Sequence, residues 1–506
     1  MMDLLSERLF TITVPFAAIL IRWLVSTGSY SGMHKPPMYG DYEAQRHWQE
    51  ITVNLPTSDW YRNTTDNDLM YWGLDYPPLT AYHSWACGKV ARILDPDWVE
   101  LHQSRGKEGY YHKLFMRYTV LLIDILLFFP AIYLVFIEKN RSQYSRRVAL
   151  LVALFYPGII LIDYGHFQYN NMSLGLFIFA VYFLQCNQQI LGAILFCLSL
   201  NYKQMELYHS IPFFCFLLGR SMQHGIISGF FNVSKLGLTV IATFALCWLP
   251  FLTSVQSVET VLGRLFPVGR GLYEDKVANV WCSISPVLKI KELVPANQAI
   301  YICIISTLLS CLPSSIQLLR NPTMKAFNFS CVIVSLAFFL FSFQVHEKSI
   351  LIPAVSALLI YNNAPFLVSW FLHISVFSMT PLFMKDGLML QYFVTRYMFM
   401  LITYVGNKDS LKPSSSMIKT ARFLSCNIVS SSMVSAILQF KMFFSTVLAD
   451  LLTLCLMFVE PPGRFPDLWP VCISMFSCLH FSGCLVFFTC MQLVCNSTTT
   501  KMKKIS

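Results

Sequence analysis

"MRYTVLLIDILLFFPAIYLVFI", residues 116–137, is an apolar run long enough to cross the hydrocarbon core of a bilayer as a helix. Similar runs recur along most of the 506-residue chain, which is 55% hydrophobic and only 13% charged. Lipid offers the backbone no hydrogen-bond partners, so segments that cross it are helices or closed barrels. Because these runs do not alternate apolar and polar residues as barrel strands do, the sequence predicts an all-α polytopic membrane protein.

Polar breaks and breaks at Pro or Gly divide the apolar sequence into about fourteen predicted transmembrane helices. They lie near residues 9–27, 116–137, 148–162, 172–186, 188–201, 207–219, 235–253, 299–319, 326–343, 349–362, 366–384, 388–406, 433–458 and 468–494. The long mixed segment 28–114 is predicted to be a large extramembrane loop with amphipathic helices. One of these begins after Gly40, because Trp48, Ile51 and Leu55 recur at helical spacing.

The basic residues of the short connections predict the orientation in the membrane. If the N-terminus is cytosolic, the basic connections 138–147, 219–225, 320–325 and 406–422 also face the cytosol, as the positive-inside bias requires. The C-terminal tail then lies there too, and its Lys503 and Lys504 resemble a di-lysine retrieval signal. We therefore expect a multi-pass protein of the endoplasmic reticulum membrane. The net charge of +10 is an orientation signal, and nucleic acid is not an expected partner.

The chemically dense motifs all fall on the predicted lumenal side. They are "GDYEAQRHW" (40–48), "YWGLDYPP" (71–78), "DYGHFQYN" (163–170), "NYKQME" (201–206), "RLFPVGRGLYEDKVANVWC" (264–282) and "FQVHEK" (343–348). The predicted orientation rests on the basic loops and not on these motifs. Their convergence on one side is therefore partly independent evidence for one water-facing site.

Asp41 is the sharpest candidate for chemistry in these motifs. It follows the first span closely, and it fits either an N-cap of the next helix or a general base. Asp75 fits a turn before Pro-Pro or a weaker catalytic candidate. Lys348 and His346 lie on the predicted lumenal side against the positive-inside bias, and an anion would explain both.

A base together with several cations suits group transfer from a lipid phosphate. The base removes a proton from the attacking hydroxyl, and the cations stabilise the departing phosphate. No metal and no cofactor are required, because Lys, Arg and His side chains can balance a monophosphate. A transporter or lipid scramblase is the alternative from another class. The one-sided placement of the charges and the absence of a visible repeat disfavour it.

The quoted motifs, with the flanking residues "SYSGMHKPPMY" (29–39), resemble the dolichyl-phosphate-glucose-dependent glucosyltransferases of the asparagine-linked glycosylation pathway. The resemblance runs from about residue 25 to about 355, and within the family it is strongest to the branch that adds the first glucose. It implies a GT-C glycosyltransferase fold, with dolichyl-phosphate glucose as donor and dolichyl-diphosphate-linked Man9GlcNAc2 as acceptor. It implies alpha-1,3 transfer with inversion and without a metal ion. The sister branch, which adds the second glucose, is the alternative within the family.

The resemblance also implies roles for individual residues. Asp41 would be the general base, Asp75 a supporting or acceptor-binding carboxylate, and His346, Glu347 and Lys348 neighbours of the donor phosphate, with Glu347 orienting. From their placement in the lumenal motifs, we add Arg270 and Lys203 to the donor-phosphate site and assign acceptor or sugar contacts to Glu43, Trp72, Tyr76, His166 and Gln168.

The resemblance and the spans together predict the organisation of the chain. Residues 1–355 would form the catalytic membrane module, including the lumenal loop 28–114. Residues 356–506 would add the last helices and the cytosolic tail to the same continuous membrane domain. The expected partners are the two lipid substrates and the surrounding membrane lipids, with no obligate protein partner.

Overall fold

The computed structural model describes residues 2–136, 142–223, 225–266, 276–406, 417–420 and 431–503. All regular secondary structure within these ranges is helical. The α-helices are α1 (Met2–Ser26), α2 (Asp41–Asn54), α3 (Pro78–Leu94), α4 (Tyr110–Ile123), α5 (Phe129–Phe136), α6 (Gln143–Leu154), α7 (Pro157–Ile159), α8 (Asn170–Gln185), α9 (Gln189–Tyr202), α10 (Ser210–Met222), α11 (Ile226–Trp248), α12 (Val255–Leu265), α13 (Val280–Leu288), α14 (Ile290–Leu293), α15 (Ala296–Arg320), α16 (Met324–Phe341), α17 (Leu351–Leu358), α18 (Pro365–Phe377), α19 (Thr380–Lys385), α20 (Met389–Gly406), α21 (Ser431–Phe458) and α22 (Leu468–Lys503).

The helices confirm the predicted all-α, multi-pass class. In the described part of the chain, nine helical stretches are long and apolar enough to cross a bilayer, the first being Leu9–Ser26 and the last Leu468–Val494. They coincide with nine of the predicted spans. The other five predicted spans coincide with α8, α9, α10, α17 and α20, which are shorter or less apolar. One apolar core, extending in sequence from Ala18 to Met491, joins these helices with the exception of α11, none of whose described residues belongs to it.

Helix α2 is enclosed by protein on all sides. Every residue from Tyr42 to Thr52 is buried, and the helix packs against α3. Its centre is Arg46, whose guanidinium bonds Glu43 at 2.6 Å and Glu50 at 2.7 Å. The prediction of a helix beginning after Gly40 is confirmed, but its predicted place at the membrane interface is wrong. The polar face of the helix is not in water, because it is buried through these ion pairs.

Helix α3 has the amphipathic character that the sequence predicted for this loop. Its small residues Ala81, Ser84 and Ala91 are buried, while Trp85 and Ile93 are exposed. A helix with such an exposed apolar face can lie in the interface between lipid and water.

Several interruptions of regular α-helix lie near the start of α2. The chain before α8 is π-helical over Ile160–Phe167, and a 3₁₀ turn, Glu347–Ile350, precedes α17. The end of α9 and the short turn between α19 and α20 reach the same place, as the hydrogen bonds below show. The polar side chains of five distant segments are thereby brought together.

Candidate active site

Asp41 is the first residue of α2, and the N-cap position belongs to Gly40. Gly40 makes no side-chain capping hydrogen bond. The interpretation of Asp41 as an N-cap is therefore wrong, and its carboxylate is available for other contacts. An acidic group in the first helical turn is still favoured by the helix dipole.

The Asp41 carboxylate is the centre of a polar cluster. Its Oδ2 lies 2.7 Å from Lys348 Nζ, 3.1 Å from His166 Nε2 and 2.5 Å from Gln168 Nε2. The Asp41 side chain is 25% exposed, whereas that of His166 is 2% exposed. The carboxylate is thus held from one side by three donors and is open on another. It is the predicted site residue with the geometry of a base that a substrate can reach.

His166 bridges two carboxylates. Its Nδ1 lies 2.5 Å from Asp386 Oδ2, and its Nε2 faces both Asp41 and, at 3.1 Å, Lys348 Nζ. Nε2 cannot accept a hydrogen bond from Lys348 and donate one to Asp41 at the same time. In the neutral ring, Nε2 accepts a hydrogen bond from Lys348. In the imidazolium, Nε2 donates a hydrogen bond to Asp41. The two arrangements differ by one proton.

Gln168 and Lys203 form the second layer of the cluster. Gln168 Oε1 accepts from Asn170 Nδ2 at 3.0 Å and faces Lys203 Nζ at 3.4 Å. Lys203 Nζ also donates to Asn170 Oδ1 at 2.5 Å, and Asn170 is in turn anchored on Asp163 at 2.7 Å. These contacts orient the amide that Gln168 presents to Asp41.

Neighbouring charges decide the protonation of the cluster. Burial disfavours the charged form of Asp41, but Lys348 and His166 outweigh it, so the pKa of this carboxyl lies well below its ordinary value. At Lys348, burial is outweighed by Asp41 together with Glu347 and Asp386, so the pKa of that ammonium is raised. Burial, aided by repulsion from Lys348, lowers the pKa of Lys203 to about 8. Asp41 is therefore ionised at neutral pH and able to accept a proton.

Two hydrogen bonds connect the cluster to Ser31, which follows α1. The Ser31 N–H donates to the His166 carbonyl at 3.0 Å, and the Asp41 N–H donates to Ser31 Oγ at 3.2 Å. Phe167 has a φ of 88°, a left-handed conformation that is unusual for a bulky residue and that clusters at functional sites. It turns the chain so that His166 and Gln168 both face Asp41.

The predicted sugar contacts divide into three groups. His166 and Gln168 are buried and contact Asp41. Glu43 is also buried, and both of its oxygens bond Arg46, with Tyr71 donating to one of them at 2.8 Å. Glu43 thus belongs to the ion-pair network of α2, and the sugar or acceptor contacts of these three residues stay predictions.

Trp72 and Tyr76 lie closer to the expected place for sugar contacts. The Trp72 indole donates to the Met38 carbonyl, three residues before Asp41, and is half-buried. The Tyr76 ring lies 5.2 Å from Lys203 Nζ. Their sugar contacts stay a prediction.

The remaining predicted site residues are Asp75, His346, Glu347 and Arg270. The Asp75 backbone carbonyl accepts from Gln204 at 2.9 Å, and its side chain is half-buried. His346 is exposed and Glu347 half-buried, beside Lys348. Arg270 and Lys504 lie outside the described residues. The donor-phosphate and acceptor roles of these residues stay predictions.

Asp386 is the site residue that the sequence analysis missed. It lies in "KDG" (385–387), between the predicted spans 366–384 and 388–406, and this connection is lumenal in the predicted orientation. A carboxylate at such a span end was the available signal. The resemblance ends at about residue 355 and therefore assigned no role to Asp386. The predicted module boundary at 355 stays a prediction, although Asp386 lies beyond it.

The arrangement can perform proton abstraction beside a phosphate. It combines an ionised, partly exposed carboxylate with an adjacent ammonium and a histidine that can take up one proton. Among the described residues, no group of three or more His, Cys, Asp and Glu side chains is arranged to hold a metal ion.

Comparisons with known proteins agree with this chemistry. A family model described as the ALG6, ALG8 glycosyltransferase family matches residues 18–488. The chain is 49% identical to a Gallus gallus protein named dolichyl pyrophosphate Man9GlcNAc2 alpha-1,3-glucosyltransferase, over 98% of this chain and 99% of that protein. A Mus musculus protein of the same name is 47% identical over 97% of this chain and 98% of its own length. An Arabidopsis thaliana protein whose name adds "Probable" is 41% identical over 93% and 87%, respectively. These matches confirm the resemblance indicated by the motifs, and the chain belongs to the ALG6, ALG8 glycosyltransferase family.

Proposed function

We propose that this protein transfers glucose from dolichyl-phosphate glucose to the terminal mannose of dolichyl-diphosphate-linked Man9GlcNAc2, with an alpha-1,3 linkage and inversion. The observation that carries the proposal is the Asp41 carboxylate, held by Lys348, His166 and Gln168 and open on one side. The names of the relatives supply the acceptor and the linkage, the resemblance of the motifs supplies the donor, and the site supplies the chemistry. The family also includes the branch that adds the second glucose, so the acceptor is a point for experiment.

The reaction follows from the geometry around Asp41. The mannose hydroxyl oxygen attacks the anomeric carbon of glucose, and the bond from that carbon to the phosphate oxygen breaks. Dolichyl phosphate leaves with the electron pair. Asp41 accepts the hydroxyl proton, and Lys348 stabilises the charge on the leaving phosphate. A phosphate that draws Lys348 away from Asp41 also raises the pKa of Asp41, so donor binding strengthens the base.

His166 and Asp386 give the abstracted proton a destination. With His166 in the neutral form, Lys348 still holds the pKa of Asp41 low, so Asp41 is a weak proton acceptor in the cluster. Transfer of the proton to His166 Nε2 returns Asp41 to the carboxylate form and leaves an imidazolium, which Asp386 stabilises at 2.5 Å. Asp386 is in this scheme a positioning residue, since it acts through His166.

We further propose a GT-C fold with fourteen transmembrane helices in the endoplasmic reticulum membrane. The nine long apolar helical stretches would be completed by α8, α9, α10, α17 and α20. The Asp41 cluster would face the lumen, since all five of its segments come from connections predicted there. The tail with Lys503 and Lys504 would face the cytosol.

The test uses the purified full-length protein in detergent with EDTA and both lipid substrates. Wild type should form Glc1Man9GlcNAc2, and Asp41→Asn should lose at least about 10²-fold in kcat. Asp97→Asn is the matched control, because this exposed carboxylate in the same loop pairs only with exposed Lys107 among the described residues.

Each other outcome overturns a stated part of the proposal. Turnover with Glc1Man9GlcNAc2 but not with Man9GlcNAc2 would move the chain to the sister branch. Activity lost only in EDTA would refute metal independence. Normal turnover of Asp41→Asn would exclude Asp41 as the base.

A further inference from the structure

Two cations on α4 lack the counter-ion that buried charges normally have. Arg117 is 3% exposed, and its Nε and Nη1 atoms are buried without a hydrogen-bond partner. Lys113, one turn earlier, is half-buried. In the described part of the chain, neither side chain forms an ion pair with a carboxylate. Buried charges are ordinarily paired, so this arrangement points to an anion that is not part of the protein.

The protein satisfies only part of the hydrogen-bonding capacity of these cations. Lys113 Nζ donates to the carbonyls of Thr27 and Gly28, at 3.1 and 2.6 Å. Arg117 Nη2 donates to the carbonyls of Ser29 and Gly165, at 3.1 and 2.9 Å. Backbone carbonyls supply partial charge but do not neutralise a cation.

Their position on the helix makes the charges more costly. The spacing of four residues brings like charges together on one face of α4, which is unfavourable. Lys113 also lies in the first turn of the helix, where the dipole opposes cations. Both charges face the ring of Tyr30, at 5.6 and 6.0 Å from its centroid. The concentrated positive potential suits a ligand with more than one negative charge.

A cavity of about 160 Å³ opens beside the two cations, between α1 and α4. Trp23, Tyr110 and Tyr118 line it, and each of these aromatic side chains is also largely exposed on the surface. Helices α1 and α4 both belong to stretches long and apolar enough to span a membrane. Exposed Trp and Tyr at such helix ends are typical of the lipid–water interface, so the cavity is reachable by a lipid head group.

We propose that Lys113 and Arg117 bind the diphosphate of the acceptor lipid, an inference that rests on the proposed function. The reacting mannose lies at the opposite end of the glycan from the diphosphate, so the two need separate sites. The diphosphate site is linked to the reaction cluster because Arg117 bonds the carbonyl of Gly165, the residue before His166. Binding at α4 would hold the acceptor while its glycan reaches Asp41.

The experiment compares Lys113→Gln with Lys89→Gln in the full-length enzyme. Lys89 is an exposed lysine on α3 that lies 5.7 Å from the Trp85 ring, so it controls for loss of one charge near lipid. Lys113→Gln should raise the acceptor KM about tenfold or more, from the loss of a charged hydrogen bond, with donor KM and kcat unchanged. An unchanged acceptor KM, or a rise in donor KM instead, would overturn the proposal. Wild-type turnover is measured in the same assay. Absence of product with wild type would refute the proposed function, and this result is distinct from an unchanged acceptor KM in Lys113→Gln.

A second measurement on wild-type enzyme needs no variant to fold. Farnesyl diphosphate should inhibit competitively against the acceptor and not against the donor, and farnesyl monophosphate should inhibit more weakly. In Lys113→Gln this inhibition should weaken. Inhibition competitive with the donor would overturn the proposal. Competition by phosphatidylserine but not by farnesyl diphosphate would assign the site to a structural phospholipid and also overturn it.

Discussion

Substituting Gly40 by Ala tests whether the position of Asp41 is set by close backbone packing. A Cβ at Gly40 would lie 2.5 Å from Ser31 Oγ and 2.6 Å from the Ser31 carbonyl carbon. Ordinary contact begins at 3.4 Å, so the two segments must separate by about 0.8 Å at the backbone carbon. The φ of Gly40 is −157°, which any residue adopts, so the effect is steric alone.

That separation is transmitted directly to the base. Ser31 holds both the Asp41 N–H and the His166 carbonyl, so moving it changes the distance between Asp41 and His166. A misplacement of about 1 Å lowers the rate of a positioned reaction by about 10²-fold. We therefore expect Gly40→Ala to reduce kcat by about that factor.

The assay is single-turnover glucosyl transfer by purified enzyme, with thermal unfolding measured in the same detergent. Gly237→Ala, in α11, is the control because no atom lies within 4 Å of its Cβ position. Overpacking at Gly40 should lower the free energy of unfolding by about 1–3 kcal/mol, so the variant can be checked for folding. A folded Gly40→Ala enzyme with the kcat of the control would refute the reasoning.

Three further perturbations test the electrostatics. Lys348→Ala should move the acidic limb of kcat/KM to higher pH, because burial of Asp41 is then less opposed and its pKa rises; an unmoved limb in the pH–rate profile would contradict this. Lys203, with a pKa of about 8, loses its charge as the pH rises through that value, so donor KM should rise there. Lys203→Arg should remove that rise in the same kinetic series, since Arg keeps its charge, and a persistent rise would exclude Lys203 as its source. Arg46→Ala should lower the free energy of unfolding by about 3–5 kcal/mol, since it leaves buried carboxylates without a cation. Thermal unfolding that matches wild type would show that these charges are compensated in another way.

The helical membrane class and the main site residues could be predicted from local properties of the sequence. Apolar runs identify spans because the requirement for satisfied backbone groups in lipid acts on each segment by itself. Lys348 stood out because its charge is predicted on the side disfavoured by the positive-inside bias. Asp41 stood out as a carboxylate in the connection that follows the first predicted span.

The roles of the buried polar residues could not be read from the same patterns. Glu43 and Asp41 are two residues apart on one helix, yet the first bonds Arg46 and the second faces Lys348. Likewise, nothing in the pattern around His166 indicated that it bridges Asp41 and Asp386. Residue type alone does not distinguish a catalytic partner from a structural ion pair.

The sequence by itself thus determined which segments are apolar enough to cross a membrane and which ionisable residues stand at their ends. Tertiary structure alone decided that Asp386, 220 residues from His166, completes the cluster, and that α2 is buried on every side. The physical reason is that hydropathy and charge bias act on each short segment separately. Burial and hydrogen bonding of a polar side chain depend on which distant segments pack against it.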